Sequence, residues 1–508
     1  MNASHGFPRM TRLAACLAAL MLLLSVPGPA RAESGIVYEI FVGSFADSNG
    51  DGIGDLKGIE EKLDYIADLN ADWIWLTPIH PSPSYHHYDV LDYCAVAPEF
   101  GTLEDFDSLA AACAERGIGV ILDLVVNHTS SEHPWFLAAA EALAKGEKSE
   151  YIDWYNFSQG SGGHIVEGTT DWYYEGPFGY HMPDLNLDNQ AVRDEIARIM
   201  AFWQGHGAKG FRLDATTSYY TGDARRNTEF LRFITETAKA GDPDCYVVGE
   251  AWVSGSTILT MYESGIDSLF DFPAADVEGA LVKASLKGNA APVSKKLADW
   301  NASLKAASPA SLDAPFLSNH DMARSRGMLR SDKTKMKTAA MLYLLLPGRP
   351  YIYYGEEIGM SGSGRDENKR LPMVWSAEAD SFTCQPPADA DQEQRLTEGV
   401  DVQAAAPDSL LSWYRQLTGL RALAPELERG AMTAIETDNN SVCAFTVTDG
   451  TTVAVIINAS PKADAAIDLG EMGLEHCSVV GCAGMTAQDL ADTGSMPPVS
   501  CLVLRLPE

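Results

Sequence analysis

Three carboxylates, Asp214, Glu250 and Asp321, follow one another along the chain, each closing a short apolar run: GFRLD, YVVGE and APFLSNHD. Each run is rich in Phe, Val, Leu and Tyr and follows a Gly, Asp or Pro turn signal, so it reads as a buried parallel strand opening into a polar site. Acids at strand ends are reachable from solvent. Carboxylates grouped in this way are suited to acid/base and nucleophilic chemistry. A lone acid at a strand end more often caps a loop or pairs with a cation, and a lone His is more often packed than functional. Arg212 lies two residues before the first acid and His320 directly before the last.

The same strand pattern recurs in IVYEIFVGSFAD (36–47), ADWIWLTPI (71–79), GIGVILDLVVNH (117–128), DSLFDFPA (267–274) and RPYIYYGEE (349–357), giving eight candidate strands. Helix-like stretches such as DSLAAACAER and DEIARIMAFWQGH lie between them. Eight alternations of strand and helix predict a (β/α)8 barrel, a TIM barrel, whose site forms at the C-terminal ends of the strands. The expected organisation is a barrel from 33–128 and 184–425, a small subdomain B inserted after strand 3 over 129–183, and a C-terminal antiparallel β-sandwich over 426–508. The inserted segment carries Trp154, Tyr155, Trp172, Tyr173 and Tyr174, which suit either sugar stacking or a small core.

At these residues a family resemblance emerges. DLVVNH (123–128), GFRLDA (210–215), VGEAW (248–252) and SNHD (318–321) resemble, in order, the four signature segments of the α-amylase family of glycoside hydrolases, family 13, and MPDLN (182–186) resembles its fifth. The resemblance runs from about residue 36 to the C-terminus. It implies that Asp214 is the nucleophile that forms a glycosyl intermediate, Glu250 the acid and then base, and Asp321 the stabiliser of the transition state. It also implies that Tyr88 stacks on the sugar ring and that His128 and His320 act as neutral donors to it. Arg212 shares a strand face with Asp214 and favours its ionised form. Glu250 needs the reverse, a raised pKa, for which Trp252 is the expected apolar neighbour.

DSNGDGIGDLKGI (47–59) spaces oxygen-bearing residues at positions one, three, five and nine with Gly at six, a pattern that wraps a hard cation such as Ca²⁺. Position twelve is Gly58 where the helix-loop-helix version has Glu, so the loop resembles instead the calcium loop of oligo-1,6-glucosidase-like family members. The expected ligands are Asp47, Asn49, Asp51 and Asp55 through side chains and Ile53 through its carbonyl. Thr217 and Ser218 stand where many α-amylases carry Lys and His, which argues against a second calcium at Asn127 and Asp184.

Residues 1–32 read as a secretory signal peptide: Arg9 and Arg12, then LAACLAALMLLLSV, then ARA as a cleavage site before Glu33. A secreted protein, extracellular or periplasmic, is expected. LAAC (13–16) resembles a lipoprotein signal, but it precedes most of the apolar core. Of nine cysteines Cys16 leaves with the signal, and the remaining eight permit disulfides in an exported chain. Cys477 with Cys482, and Cys443 with Cys501, are the pairings suggested by proximity and domain membership. The net charge of −33 falls to −36 once Arg9, Arg12 and Arg31 are removed, which opposes nucleic acid or anionic membranes as partners and suits a neutral substrate.

The resemblance points to a retaining, endo-acting hydrolase of α-1,4-glucosidic bonds in starch-like glucans and maltooligosaccharides, expected as a monomer with no membrane association. Ala215 after the nucleophile and Met182 in MPDLN favour this reading. KRLPMVW (369–375) resembles a segment of exo-acting α-glucosidases, oligo-1,6-glucosidases and transglycosylases, which form the alternative. An inactive carbohydrate-binding or accessory protein is the alternative of a different class, and the presence of all three acids opposes it.

Overall fold

The structure, a computed structural model, describes residues 34–376, 378, 381–394 and 396–507. The proposed signal and Cys16 lie outside the described residues.

Eight parallel strands form the central sheet: β1 (Ile36–Ile40), β2 (Ala71–Leu76), β3 (Gly119–Leu124), β7 (Gly210–Leu213), β8 (Tyr246–Gly249), β9 (Ser268–Phe270), β10 (Leu312–Ala314) and β11 (Tyr351–Tyr353). Between β3 and β7 come β4 (Phe157–Gln159), β5 (His164–Ile165) and β6 (Trp172–Tyr174), a small antiparallel sheet of its own. The large sheet runs β10-β9-β8-β7-β3-β2-β1-β11. Its ends meet through Arg349 N donating to Asp313 O at 2.8 Å and Tyr351 N to Pro315 O at 2.9 Å, so the barrel closes.

Strands of a closed parallel barrel are covered on both faces, which explains the unbroken apolar runs: every residue of β1, β7 and β8 is buried. Around them the helices bury one stripe each. Val192, Ile196, Ile199, Met200 and Trp203 recur at three- and four-residue spacing along Gln190–Gly205 and face the core, while Asn189 caps the first turn by accepting from Ala191 N at 2.9 Å. Thr102 and Asp105 cap Leu103–Glu115 reciprocally. Each large core side chain contributes about 1.5–3 kcal/mol by leaving water, so the barrel is held by its packing and the helix caps fix where helices start.

One strand differs from the sequence reading. APFLSNHD does not form the seventh strand; that strand is Leu312–Ala314, and Asp321 lies seven residues past its end. Pro315 cannot donate to a ladder, and the segment after it turns over the barrel mouth.

Aromatic residues of the inserted segment mostly form its core. Tyr155 and Tyr174 are buried against Phe136 at 5.1 and 4.9 Å, and Trp154 meets Trp135 edge-on at 4.7 Å.

Past the barrel, β12 (Ala431–Ala434), β13 (Val442–Asp449), β14 (Thr451–Asn458), β16 (Ser478–Ala483) and β18 (Ser500–Arg505) make a five-stranded antiparallel sheet ordered β12-β13-β14-β18-β16. Its second layer is thin: β15 (Ala465–Ala466) paired with β17 (Ser495–Met496), and neighbouring loops. Val442, Ala444, Ala454, Ile456, Leu502 and Leu504 face that layer. Cys443, Phe445, Val447, Val455, Ile457 and Val503 face the other way and join the barrel's own core.

All eight cysteines of the described residues are free thiols, which corrects both expected pairings. Cys443 and Cys501 both sit opposite Ile457, on the two strands flanking β14. Two strand spacings of about 4.8 Å place them roughly 10 Å apart, beyond disulfide reach. Cys477 directly precedes β16 and Cys482 lies within it, five residues on, so the extended strand between them carries them roughly 16 Å apart.

Candidate active site

At the barrel mouth Arg212, wholly buried on β7, organises the acids. Its Nη1 donates to Asp214 Oδ1 at 2.8 Å, to Asp123 at 2.8 and 2.9 Å and to the Tyr88 hydroxyl at 3.2 Å, while Nη2 donates to Glu250. Burial works against its charge, but Asp123, Tyr88, Glu250 and Asp214 outweigh that and keep the guanidinium ionised. The backbone makes this register obligatory. Asp123 and Arg212 are register partners across β3 and β7, and Glu250 N donates to Leu213 O at 2.9 Å. Thr216 N then donates to Glu250 O at 2.9 Å, across Ala215, whose φ of +46° is left-handed. A Cβ disfavours that region, so the turn that exposes Asp214 stores a small strain held by its neighbours.

Glu250 is pushed up to about 8, first by burial and then by the charges of Asp214 and Asp321, with Arg212 opposing. A carboxyl with that pKa keeps its proton at neutral pH and can donate it. Trp252, expected to cause the desolvation, is instead half exposed and stacks on Phe272 at 4.8 Å.

Asp321 is held far below the ordinary carboxylate range: burial opposes this, but His320 and then Arg370 and Arg212 prevail. His320 Nε2 lies 3.0 Å from Asp321 Oδ2, and its Nδ1 lies 2.7 Å from Glu39 Oε1. Arg370 Nη2 reaches Asp321 Oδ1 at 2.7 Å and Arg370 Nη1 donates to the Tyr85 hydroxyl at 2.8 Å.

His320 departs from the neutral donor expected of it. Burial would keep it neutral, but Asp321 and Glu39 on either side raise it to about 9, so the ring is charged at neutral pH. His128 does stay neutral, lowered by burial, with Nε2 3.2 Å from Tyr88 O and Phe178 tilted over its ring at 5.4 Å. The Tyr88 hydroxyl lies 2.6 Å from His320 Nε2 and donates to Asp123 Oδ2 at 3.0 Å, so this tyrosine braces the acids from within the wall.

Asp214, Glu250, Asp321, Tyr88, Arg212 and His320 are thus linked through these contacts, and His128 adjoins them at the backbone of Tyr88. Three members were not singled out from sequence: Glu39, Asp123 and Arg370. Glu39 had a visible signal, a lone acid inside the apolar IVYEIF.

The loop expected to bind calcium lies elsewhere, after β1. Its oxygens hold its own turns: Asp47 Oδ1 accepts from Asn49 N at 3.0 Å and Gly50 N at 2.6 Å, Asn49 Oδ1 from Asp51 N at 2.8 Å, and Asp51 Oδ1 from Ile53 N at 2.8 Å. Asp55 caps the next helix by accepting from Gly58 N at 2.7 Å. Burial and the charges of Asp47, Asp55 and Asp51 push the Cys384 thiol up. Their all-oxygen chemistry fits a hard cation, although among the described residues no three Asp, Glu, His or Cys side chains are gathered as a metal cluster. Asn127 Nδ2 donates to Asp184 Oδ1 at 3.0 Å, and Asp184 is pushed up to about 8 by burial and by Glu175.

Comparison with known proteins agrees with this geometry. A family model described as "Alpha amylase, catalytic domain" matches residues 39–430. "Alpha-amylase 3" of Dictyoglomus thermophilum is 38% identical over 425 residues, covering 81% of this chain and 82% of that relative. An oligo-1,6-glucosidase of Bacillus cereus is 30% identical over 512 residues, covering 84% and 90%. Among solved structures, Eubacterium rectale Amy13B superposes with a TM-score of 0.87 at 39% identity, covering 93% of this chain and 95% of that one. A barrel with these acids grouped at its mouth, matched along most of its length by these enzymes, belongs to the α-amylase family of glycoside hydrolases, family 13.

Proposed function

We propose that the protein is an endo-acting α-amylase that cleaves α-1,4 bonds in starch-like glucans and maltooligosaccharides with retention of configuration. The observation that carries the reading is Glu250 placed with Asp214 on one guanidinium, with burial raising its pKa to about 8. Asp214 attacks the anomeric carbon while Glu250 protonates the departing oxygen, and Glu250 then takes the proton of the water that releases the product. Asp321, kept ionised by His320 and Arg370, stabilises the positive charge that develops on the sugar ring. Endo action is supported by two exposed aromatic rings, Phe178 tilted over His128 and Trp252 two residues along the chain from Glu250. Open aromatic surfaces suit a chain lying across the site better than a closed pocket does. The relative named Alpha-amylase 3 is 38% identical over 425 residues, against 35% over 358 residues for a glucan 1,6-alpha-glucosidase of Streptococcus dysgalactiae and 30% over 512 residues for the oligo-1,6-glucosidase.

Starch and isomaltose separate the two readings. The expected result is a ladder of maltooligosaccharides from starch and no cleavage of isomaltose. Release of glucose alone from starch ends, or cleavage of isomaltose only, overturns the endo reading. We further propose that the 47–55 loop binds Ca²⁺ as a structural ion, and that residues 1–32 export the protein.

A further inference from the structure

Arg324 lies three residues past Asp321 and is 1% exposed. A guanidinium buried this deeply normally meets a carboxylate, yet Arg324 spends its donors on backbone carbonyls: Nε on Lys369 O at 2.9 Å and Nη1 on Tyr354 O at 2.6 Å. Its plane rests over the rings of Tyr353 and Tyr354 at 4.3 and 4.6 Å, and its own amide donates to Gly362 O at 2.9 Å. Tyr354, Gly362 and Lys369 all belong to the segment that leaves β11 and returns to the barrel mouth.

That segment delivers the groups that grip the stabilising acid. Lys369 Nζ donates to Asp321 O at 2.8 Å, Arg370 Nη2 to Asp321 Oδ1 at 2.7 Å and Arg370 Nε to His320 O at 3.1 Å. Lys369 O is fixed a second time by the Tyr353 hydroxyl at 3.0 Å. The contacts form a closed circuit: Asp321 is followed by Arg324, Arg324 fixes Lys369, and Lys369 and Arg370 return to Asp321.

We propose that Arg324 is a positioning residue for Asp321, acting by fixing the backbone at Lys369 so that the Arg370 guanidinium meets the Asp321 carboxylate. Its charge is of secondary use to it; its fork geometry is what ties two loops together. The inference rests on the role proposed above for Asp321.

A double-mutant cycle tests it, with kcat, KM and melting temperature measured on maltooligosaccharides for Arg324→Gln, Arg370→Gln and the pair. The expected result is that Arg324→Gln lowers kcat roughly tenfold with a smaller change in KM, and that it costs less than about twofold once Arg370 is already Gln. Equal losses in both backgrounds, or an unchanged kcat in Arg324→Gln, overturn the proposal, because a merely structural clamp does not couple to Arg370. If Arg324→Gln does not fold, Arg324→Lys keeps the charge and loses the fork. It is expected to lower kcat only when Arg370 is present, and an equal loss without Arg370 overturns the idea. Asp321→Asn keeps the two readings apart: full turnover in that variant removes the proposed role of Asp321, whereas additive losses beside an inactive Asp321→Asn remove the role of Arg324 alone.

Discussion

Asp214 and Glu250 hang on the two terminal nitrogens of one guanidinium, that of Arg212, and yet the second carboxyl is protonated at neutral pH. Burial is the largest cause of the rise at Glu250, and the charges of Asp214 and Asp321 add to it. The Arg212 charge is shared among Asp123, Asp214 and Glu250, so it does not offset the desolvation of Glu250.

The first prediction follows from that proton. With Glu250 raised from 4.5 to about 8, the donor is present at neutral pH and is lost as pH rises through about 8. The rate of hydrolysis should therefore fall on a basic limb near pH 8, tenfold per unit beyond it. Glu250→Gln should lower kcat by about 10²–10⁴-fold on natural glucans and abolish that limb. A pH profile of the variant that keeps the limb would assign it to another group.

His320 gives a second prediction, about stability. Its folded pKa of about 9 exceeds the ordinary 6.5, so its contribution is complete below about 6.5 and disappears as pH rises through 9. Glu39→Gln removes one of the flanking carboxylates and should destabilise by roughly 3–5 kcal/mol, as loss of one member of a buried pair does. Thermal melts at pH 6.5 and pH 9 should then differ less in Glu39→Gln than in the parent protein. An equal difference in both would show that the pair carries none of the pH dependence.

Calcium supplies a third. If the 47–55 loop binds the ion only when folded, EDTA should lower the melting temperature, and a hundredfold excess of Ca²⁺ over its Kd should restore about 2.7 kcal/mol. Asp47→Ala should remove that response and leave the protein folded. A melting temperature indifferent to both chelator and calcium would eliminate the site.

The cysteines give a fourth. Eight free thiols in the described residues mean that a thiol reagent in denaturant, without reductant, should titrate at least eight per chain, and that reductant should leave the melting temperature unchanged. Fewer than eight would reveal a disulfide.

What the sequence disclosed and what it hid divide along a physical line. Asp214 and Glu250 directly after their strands, Arg212 two residues before Asp214, and the Asx-rich loop are local patterns, and each can be read within a dozen residues. Glu39 and Arg370 reach His320 and Asp321 across 281 and 49 residues. Such contacts depend on closure of the barrel, which no local period encodes. The charge on His320 was hidden for the same reason: it is set by two carboxylates, and one of them comes from the first strand. The seventh strand was misplaced because APFLSNHD has the apolar start and acidic end of its neighbours, while Pro315 at its second position moves the ladder upstream. Disulfide pairings failed because nearness in sequence along a β-strand is distance in space.

The C-terminal sheet turns one face toward its own thin layer and the other, with Phe445, Val447, Val455 and Ile457, into the barrel's core. The family model stops at residue 430, but the folding unit does not. A chain cut at that point would present a raw apolar wall to water, so expressing the catalytic portion alone is a recipe for inclusion bodies, and swapping in another enzyme's tail demands a matched seam.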